Sequence, residues 1–389
     1  MGKIDELIQQ YCPDGVEYVK LRDVLSVNRG KRLTKMQLSD DGQYYVYHGS
    51  KDTPLGKYSQ FNVKGNTTIV VNTGGIGGVK FCDDDFWCSD GSFWIGHSDL
   101  LNDKYVYYYL SPLEPYFASQ KREGGVPTID RSVVENVEIP LLPLPVQEEI
   151  VRILDNFTNL AAELQAELQA RVQQYNYYRD NLLSFEGRTD VQWKKLGEVA
   201  SIKTGRRFVR TDIKESGVPC FHYGDIYTYY GLTATKTKGY LNAELASKLR
   251  FAQPNDVVVV CAGENDMDIG VGVAWLGDEP AVVHDACCIL HHEQNPRYIS
   301  HFLRTHNYHL QMKRYVKNGK ISSLPASGLA EALIPIPSLE EQERIANTLD
   351  RFDALTNDLT QGLPAEIEAR QQQYEYYRDR LLTFNRKEV

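Results

Sequence analysis

The residues of this chain best suited to chemistry are basic doublets, and the chemistry they suit is phosphate binding. Lys31-Arg32 and Arg206-Arg207 stand at matched places, each behind a β-branched stretch and a glycine. Lys121-Arg122 precedes the loop Gly124-Gly125-Val126-Pro127-Thr128, and Lys313-Arg314 precedes a loop that runs from Lys317 through Asn318-Gly319-Lys320-Ile321-Ser322-Ser323. Ammonium and guanidinium groups attract phosphate oxygens, and Gly, Ser and Thr let backbone N–H groups and short hydroxyls come close to them. The candidate contacts are therefore Lys31, Arg32, Lys121, Arg122, Thr128, Arg206, Arg207, Lys313, Arg314, Lys317, Lys320 and Ser322. One basic doublet alone is ordinary surface; recurrence at matched places singles these out.

The patterns of catalysis do not assemble. Gly49 and Gly56 enclose six residues where a phosphate loop needs four, and Tyr58 stands where Ser or Thr would hold magnesium. Gly74-Gly75-Ile76-Gly77-Gly78 follows a strand, but Val79-Lys80-Phe81-Cys82 reads as another strand, so a hairpin fits better than a dinucleotide fold. His291-His292-Glu293 lacks zinc-protease spacing. Cys82, Cys88 and His97 read as strand-core residues before they read as a metal site, and Asp83-Asp84-Asp85 as a solvated turn. No nucleophile elbow and no Asn-Pro-Pro-aromatic motif occurs, so no active site is expected. The 7 cysteines include no Cys-x-x-Cys pair and read as reduced, mostly buried thiols. With no apolar run near membrane-spanning length and no apolar signal core behind Met1, the expected setting is the cytoplasm.

A net charge of −9 opposes nucleic-acid binding until it is located. Segments 146–186 and 338–389 hold nearly all of the excess acid, and the remainder is close to neutral, so local basic faces are possible there.

The elements that must position the doublets occur twice. Lys20-Leu21-Arg22-Asp23-Val24-Leu25 through Arg32 lines up with Lys195-Leu196-Gly197-Glu198-Val199-Ala200 through Arg207. Arg171–Phe185 matches Arg370–Phe384, each with a Gln-Tyr-x-Tyr-Tyr-Arg-Asp core. Thr68–Val71 and Val257–Val260 read as buried strands. Pro140, Pro143 and Pro145, then Pro335 and Pro337, read as extended entries to helices. Behind the first set a heptad seam runs through Ile150, Leu154, Phe157, Ala161, Leu164, Leu168, Arg171, Tyr175, Tyr178 and Leu182. The second copy repeats it from Ile345 to Leu381, but its Phe352-to-Leu363 step is eleven residues where Phe157 to Leu164 is seven. That four-residue stutter, with Gly362 and Pro364, predicts a break. A helix of about 35–40 residues would be roughly 50–60 Å long, a spacer.

On these motifs the chain resembles the DNA-specificity subunits of type I restriction-modification systems. Pro143/Pro145, Pro335/Pro337, Gln147-Glu148-Glu149-Ile150, Gln342-Glu343-Arg344-Ile345 and the tyrosine-rich helix ends carry the resemblance, which covers essentially the whole chain. It implies an α+β fold: two duplicated α/β target-recognition domains, residues 1–145 and 187–337, separated by two long antiparallel helices, 146–186 and 338–389, that form an intramolecular coiled coil with pseudo-two-fold symmetry. It implies a non-catalytic subunit whose domains each read half of a bipartite, asymmetric site in double-stranded DNA. Two modification (methyltransferase) subunits that carry S-adenosylmethionine would dock on the helices, and two restriction subunits would join them. The chain itself would bind no cofactor. Leu182, Leu183, Leu381 and Leu382 are candidate docking residues or ordinary seam residues. A stand-alone bipartite DNA-binding protein and an enzyme with its site in the Gly-rich loops remain alternatives.

Overall fold

The computed structural model describes residues 2–122, 126–263, 269–317, 319, 321–357 and 362–387. It falls into two compact units, Met1–Glu163 with Ala369–Val389, and Leu164–Glu368. Each is α+β, and the two are built alike.

In the first unit a short helix, α1 (Gly2–Tyr11), leads into strands β1 (Val27–Arg29), β2 (Tyr44–Tyr47), β3 (Gly56–Tyr58), β4 (Thr67–Val71), β5 (Val79–Cys82), β6 (Trp87–Cys88) and β7 (Ser92–Ile95). They form two sheets, ordered β1-β7-β4-β5 and β3-β2-β6. The hairpin expected between Val71 and Val79 is present, with β4 antiparallel to β5. Every residue of β4 is buried. Alternation explains this: Ile69 packs with Phe86 and Cys88 on one face, while Val70 packs on the other with Phe93 and Tyr105 of helix α2 (Asp103–Leu110).

A helix of 39 residues, α3 (Leu144–Leu182), follows, and the boundary between units falls inside it. Between positions 160 and 170 only Ala161, Leu164 and Leu168 escape full exposure, as the heptad predicts. Its first half belongs to the core of the first unit, together with Leu381 and Leu382.

The second unit repeats the plan with β8 (Ala200–Thr204), β9 (Val218–Phe221), β10 (Gly239–Leu241), β11 (Phe251–Ala252), β12 (Val257–Val260), β13 (Gly272–Trp275), β14 (Ala281–Val283) and β15 (Cys287–His292). A further two-residue strand, Thr233–Ala234, extends the main sheet beside β13. The run β8-β15-β12-β13 reproduces β1-β7-β4-β5, and β10-β9-β14 reproduces β3-β2-β6. Val257 and Val259 face the helical side, with Tyr298 of helix α4 (Pro296–Phe302); Val258 and Val260 face the smaller sheet. Two helices close the chain, α5 (Leu339–Asn357) and α6 (Leu363–Leu381). The expected interruption is there, with Pro364 in the first turn of α6; residues 358–361 lie outside the described ones.

Paired strands carry the chain into and out of each domain: Tyr18–Lys20 lies antiparallel to Glu138–Pro140, and Gln192–Lys195 to Leu333–Ile336. A buried glutamine then locks each helix start to its domain. The side-chain oxygen of Gln147 accepts from the backbone N–H of Asn102 at 2.7 Å, and its amide nitrogen donates to the Leu142 carbonyl at 2.6 Å. Gln342 does the same with Asn295 N–H at 3.0 Å and the Pro337 carbonyl at 2.9 Å. Asn102 and Asn295 in turn cap α2 and α4 through their side chains. These clasps give the Gln-containing motif its physical meaning.

Candidate nucleic-acid interface

The doublets Lys31-Arg32 and Arg206-Arg207 sit where β1 and β8 end, and the same contacts hold both. Lys31 N–H donates to the Cys88 carbonyl at 2.9 Å, and Arg206 N–H to the Val283 carbonyl at 3.0 Å. The preceding glycines are pressed against backbone. A Cβ on Gly30 would stand 2.2 Å from the Ser89 carbonyl oxygen, and one on Gly205 2.2 Å from that of His284. Only glycine lets the basic loop lie this close to β6 and β14. Lys31, Arg32, Arg206 and Arg207 are all exposed. The Arg206 guanidinium also donates to the Lys248 carbonyl at 2.7 Å, which orients it.

The second basic loop is pinned by the same bonds in both units. Ile129 N–H donates to the Asn72 carbonyl at 3.0 Å, and Leu324 N–H to the Cys261 carbonyl at 2.8 Å. Arg122 N–H donates to the Thr128 carbonyl at 2.9 Å, and Lys317 N–H to the Ser323 carbonyl at 2.8 Å. Lys317, rather than Lys313 or Arg314, is therefore the counterpart of Arg122. This corrects the pairing of doublets read from sequence: Lys313 and Arg314 sit where the helix His306–Met312 ends, and Arg314 lies over the Tyr315 ring. Arg122 is exposed and paired with Asp130, and Lys121 is exposed. Thr128 is half-buried. Ser322 is 5% exposed within the short ladder between Ala262–Gly263 and Ser322–Ser323, so its hydroxyl is withheld from an approaching phosphate. Lys320 lies outside the described residues.

In the second unit the two loops meet at a cavity of about 380 Å³ whose walls include Arg207, Arg210, His222, His284, Gly263 and Ile321. The imidazoles of His222 and His284 have ring centres 4.8 Å apart. Burial pushes both below the ordinary histidine value, and His284 depresses His222 further. Both rings are thus neutral, and each Nδ1 already accepts a backbone N–H, from Gly224 at 3.3 Å in His222 and from Ala286 at 3.1 Å in His284. The first unit places His48 where the second has His222: Ser89 N–H donates to the Tyr47 carbonyl, and His284 N–H to that of Phe221. The sequence carries this as an aromatic-His pair at the end of matched strands, Tyr47-His48 and Phe221-His222.

The leucines proposed for docking are mostly spent inside the chain. Leu183 belongs to the core of the second unit, Leu381 and Leu382 to that of the first, and Leu182 packs against the former core. Leu183 and Leu382 follow directly on the ends of α3 and α6. The same motif instead exposes Tyr177 (66%) and Tyr376 (61%). Cys82 and Cys88 are buried strand residues, and burial raises the Cys82 thiol to about 12. Among the described residues no three His, Cys, Asp or Glu side chains are grouped to hold a metal, and no helix is long and apolar enough to cross a membrane.

A family model, type I restriction modification DNA specificity domain, matches residues 13–174 and 189–369, one domain in each half. The chain belongs to this family. The EcoR124I/EcoR124II specificity subunit of Escherichia coli is 36% identical over 304 residues, 74% of this chain and 72% of that one. A putative type I restriction enzyme specificity subunit of Haemophilus influenzae is 27% identical over 402 residues, 95% of this chain and 96% of its own length. The crystal structure of a type I S subunit from M. genitalium matches with a TM-score of 0.59 at 16% identity, covering 95% of this chain and 96% of that one. A chain from a study of complex assembly in the type I system matches with a TM-score of 0.56 at 18% identity over 95% of this chain and 98% of that one. At these identities the likeness to solved structures concerns the fold: a specificity subunit's duplicated α/β domains and long helices.

Proposed function

We propose that this specificity subunit carries no chemistry of its own and serves as the DNA reader of a type I complex. Each α/β domain binds one half of a bipartite, asymmetric site in double-stranded DNA. The long helices set the gap between halves. Two modification subunits, which bring S-adenosylmethionine, dock on the helical layer, where Tyr177 and Tyr376 offer the large amphipathic side chains favoured at interface centres. Two restriction subunits join for cleavage. The setting is the cytoplasm. The observation that carries this reading is the matched rim: two glycine-seated basic loops, Gly30-Lys31-Arg32 and Gly205-Arg206-Arg207, held by equivalent bonds to equivalent strands. Phosphates fix register on such loops, while neighbouring side chains reach base edges.

The test is co-purification followed by methylation mapping. The chain should bring down a methyltransferase at two copies to one. Genomes with and without it should differ in methylated adenines at a split sequence. Recovery as a lone DNA-binding protein would favour a stand-alone regulator, and methyl transfer by the purified chain alone would defeat the assignment.

A further inference from the structure

We propose that Val126 and Ile321 read the 5-methyl group of a thymine, one in each half of the DNA site. The inference rests on the DNA-reading role above and assigns a base-edge contact within it.

The two residues occupy the same place. Each lies inside the loop closed by the bond from Arg122 to Thr128 or from Lys317 to Ser323. Each is a β-branched residue two places before the loop's closing residue, and each is held out to solvent: Val126 is 73% exposed and Ile321 61%. An exposed β-branched side chain gains nothing in the free protein and is stiff about its first torsion, so it presents a fixed apolar knob. The loop beneath it is held: Thr73 donates to the Pro127 carbonyl at 3.2 Å, and Ser322 pairs with Gly263.

The surroundings say what the knob meets. Ile321 shares its cavity with Arg207, which faces the phosphates in this reading, and with the neutral imidazoles of His222 and His284. A duplex seated on that arginine brings a groove edge past the tip of the loop. Side chains of valine and isoleucine cannot hydrogen-bond, so they can discriminate only through apolar groups. The apolar group that a base pair projects into the major groove is the thymine 5-methyl.

Replacing thymine by deoxyuridine removes that methyl and leaves the base pairing unchanged. Once methylation mapping has given the site, each thymine in both half-sites is replaced singly, and binding by the subunit with its modification partner is measured. Burial of one methyl group predicts a loss of about fourfold at one thymine of each half-site. Val126→Ala should abolish the sensitivity in one half-site only, and Ile321→Ala in the other only. Both positions are exposed, so neither variant threatens folding. A half-site in which no thymine responds overturns the proposal for its domain, although specific binding would leave the DNA-reading role intact. Indifference to the bipartite site itself would remove that role first. A rise in 2-aminopurine fluorescence on binding that Ile321→Ala suppresses would mark a wedge between base steps and also overturn it.

Discussion

Phe157 stacks on Tyr377 with ring centres 5.4 Å apart and planes 23° from parallel, and Phe352 stacks on Tyr178 at 5.3 Å and 29°. Phe157 and Phe352 are counterparts in the repeat, and so are Tyr178 and Tyr377. Each stack therefore joins the start of one copy's helix to the end of the other's. The pairing is reciprocal, and so is its neighbour: Arg179 lies over the Tyr175 ring at 5.5 Å, and Arg378 over Tyr374 at 5.6 Å.

Both phenylalanines are half-buried, so truncation costs less than in a full core. Phe157→Ala and Phe352→Ala should each destabilise by about 2 kcal/mol, the half-buried share of a phenylalanine's contribution plus its stacking. Urea unfolding of both variants checks this. Equal losses are expected because the two geometries are nearly equal.

The sequence made the duplication, the strands, the hairpin after Val71 and the helix break at Gly362 legible, because periodicity and Pro/Gly punctuation are local. It could not register the second basic loop. Lys313-Arg314 resembled Lys121-Arg122 as a doublet, but ladder bonds decide equivalence, and they select Lys317. The leucines of the helix ends were ambiguous for a related reason: a leucine reads the same whether its partner is its own core or another chain. The meeting of Arg207 with Ile321 depends on loops distant in sequence.

The buried glutamines invite a sharper test. Replacing Gln147 or Gln342 by Ala strands the Asn102 or Asn295 N–H and a carbonyl away from water. Each variant should lose about 2–3 kcal/mol, the cost of unsatisfied buried groups. Gln147→Glu keeps the acceptor but sets a carboxylate oxygen against the Leu142 and Leu100 carbonyls in a fully buried site, and should lose at least as much as Gln147→Ala. Chemical denaturation with a fixed slope gives the ranking.

Acid should weaken the second unit first. Burial holds His301 below its ordinary value against the pull of Asp350, which its Nε2 meets at 2.8 Å while Nδ1 meets the Tyr175 hydroxyl at 3.1 Å. His222, His284, His292 and His309 are lowered too, burial first. A depressed histidine stays neutral in the fold while the unfolded chain takes up a proton near pH 6.5, so stability is complete above that pH and is lost as pH falls below it. Unfolding midpoints at pH 7.5 and 5.5 should show the drop. His301→Gln should make it shallower.

Arg32 and Arg207 are matched, exposed and set on glycine-seated loops. A phosphate contact, the role proposed for them, carries no sequence information. Arg32→Ala and Arg207→Ala should each weaken binding to all sequences alike and reduce the salt slope of log affinity by about 0.9. Fluorescence anisotropy across a salt series separates this from a base contact, which would relax the preference at one position and leave the slope unchanged.

The middle of α3 contains a tandem tetrapeptide, Ala162-Glu163-Leu164-Gln165 and Ala166-Glu167-Leu168-Gln169. Its residues are exposed apart from the seam leucines, so the segment supplies length more than core. Four residues of helix advance about 6 Å and turn the following part only about 40° past a full revolution, which keeps seam residues near the seam. At roughly 3.4 Å per base pair, 6 Å is one to two base pairs of duplex. Deleting Ala166–Gln169 should therefore shorten the preferred gap by about one or two base pairs and leave both half-sites as they were. Methylation mapping decides the matter: altered half-sites with an unaltered gap would mean that the helix does not measure the DNA.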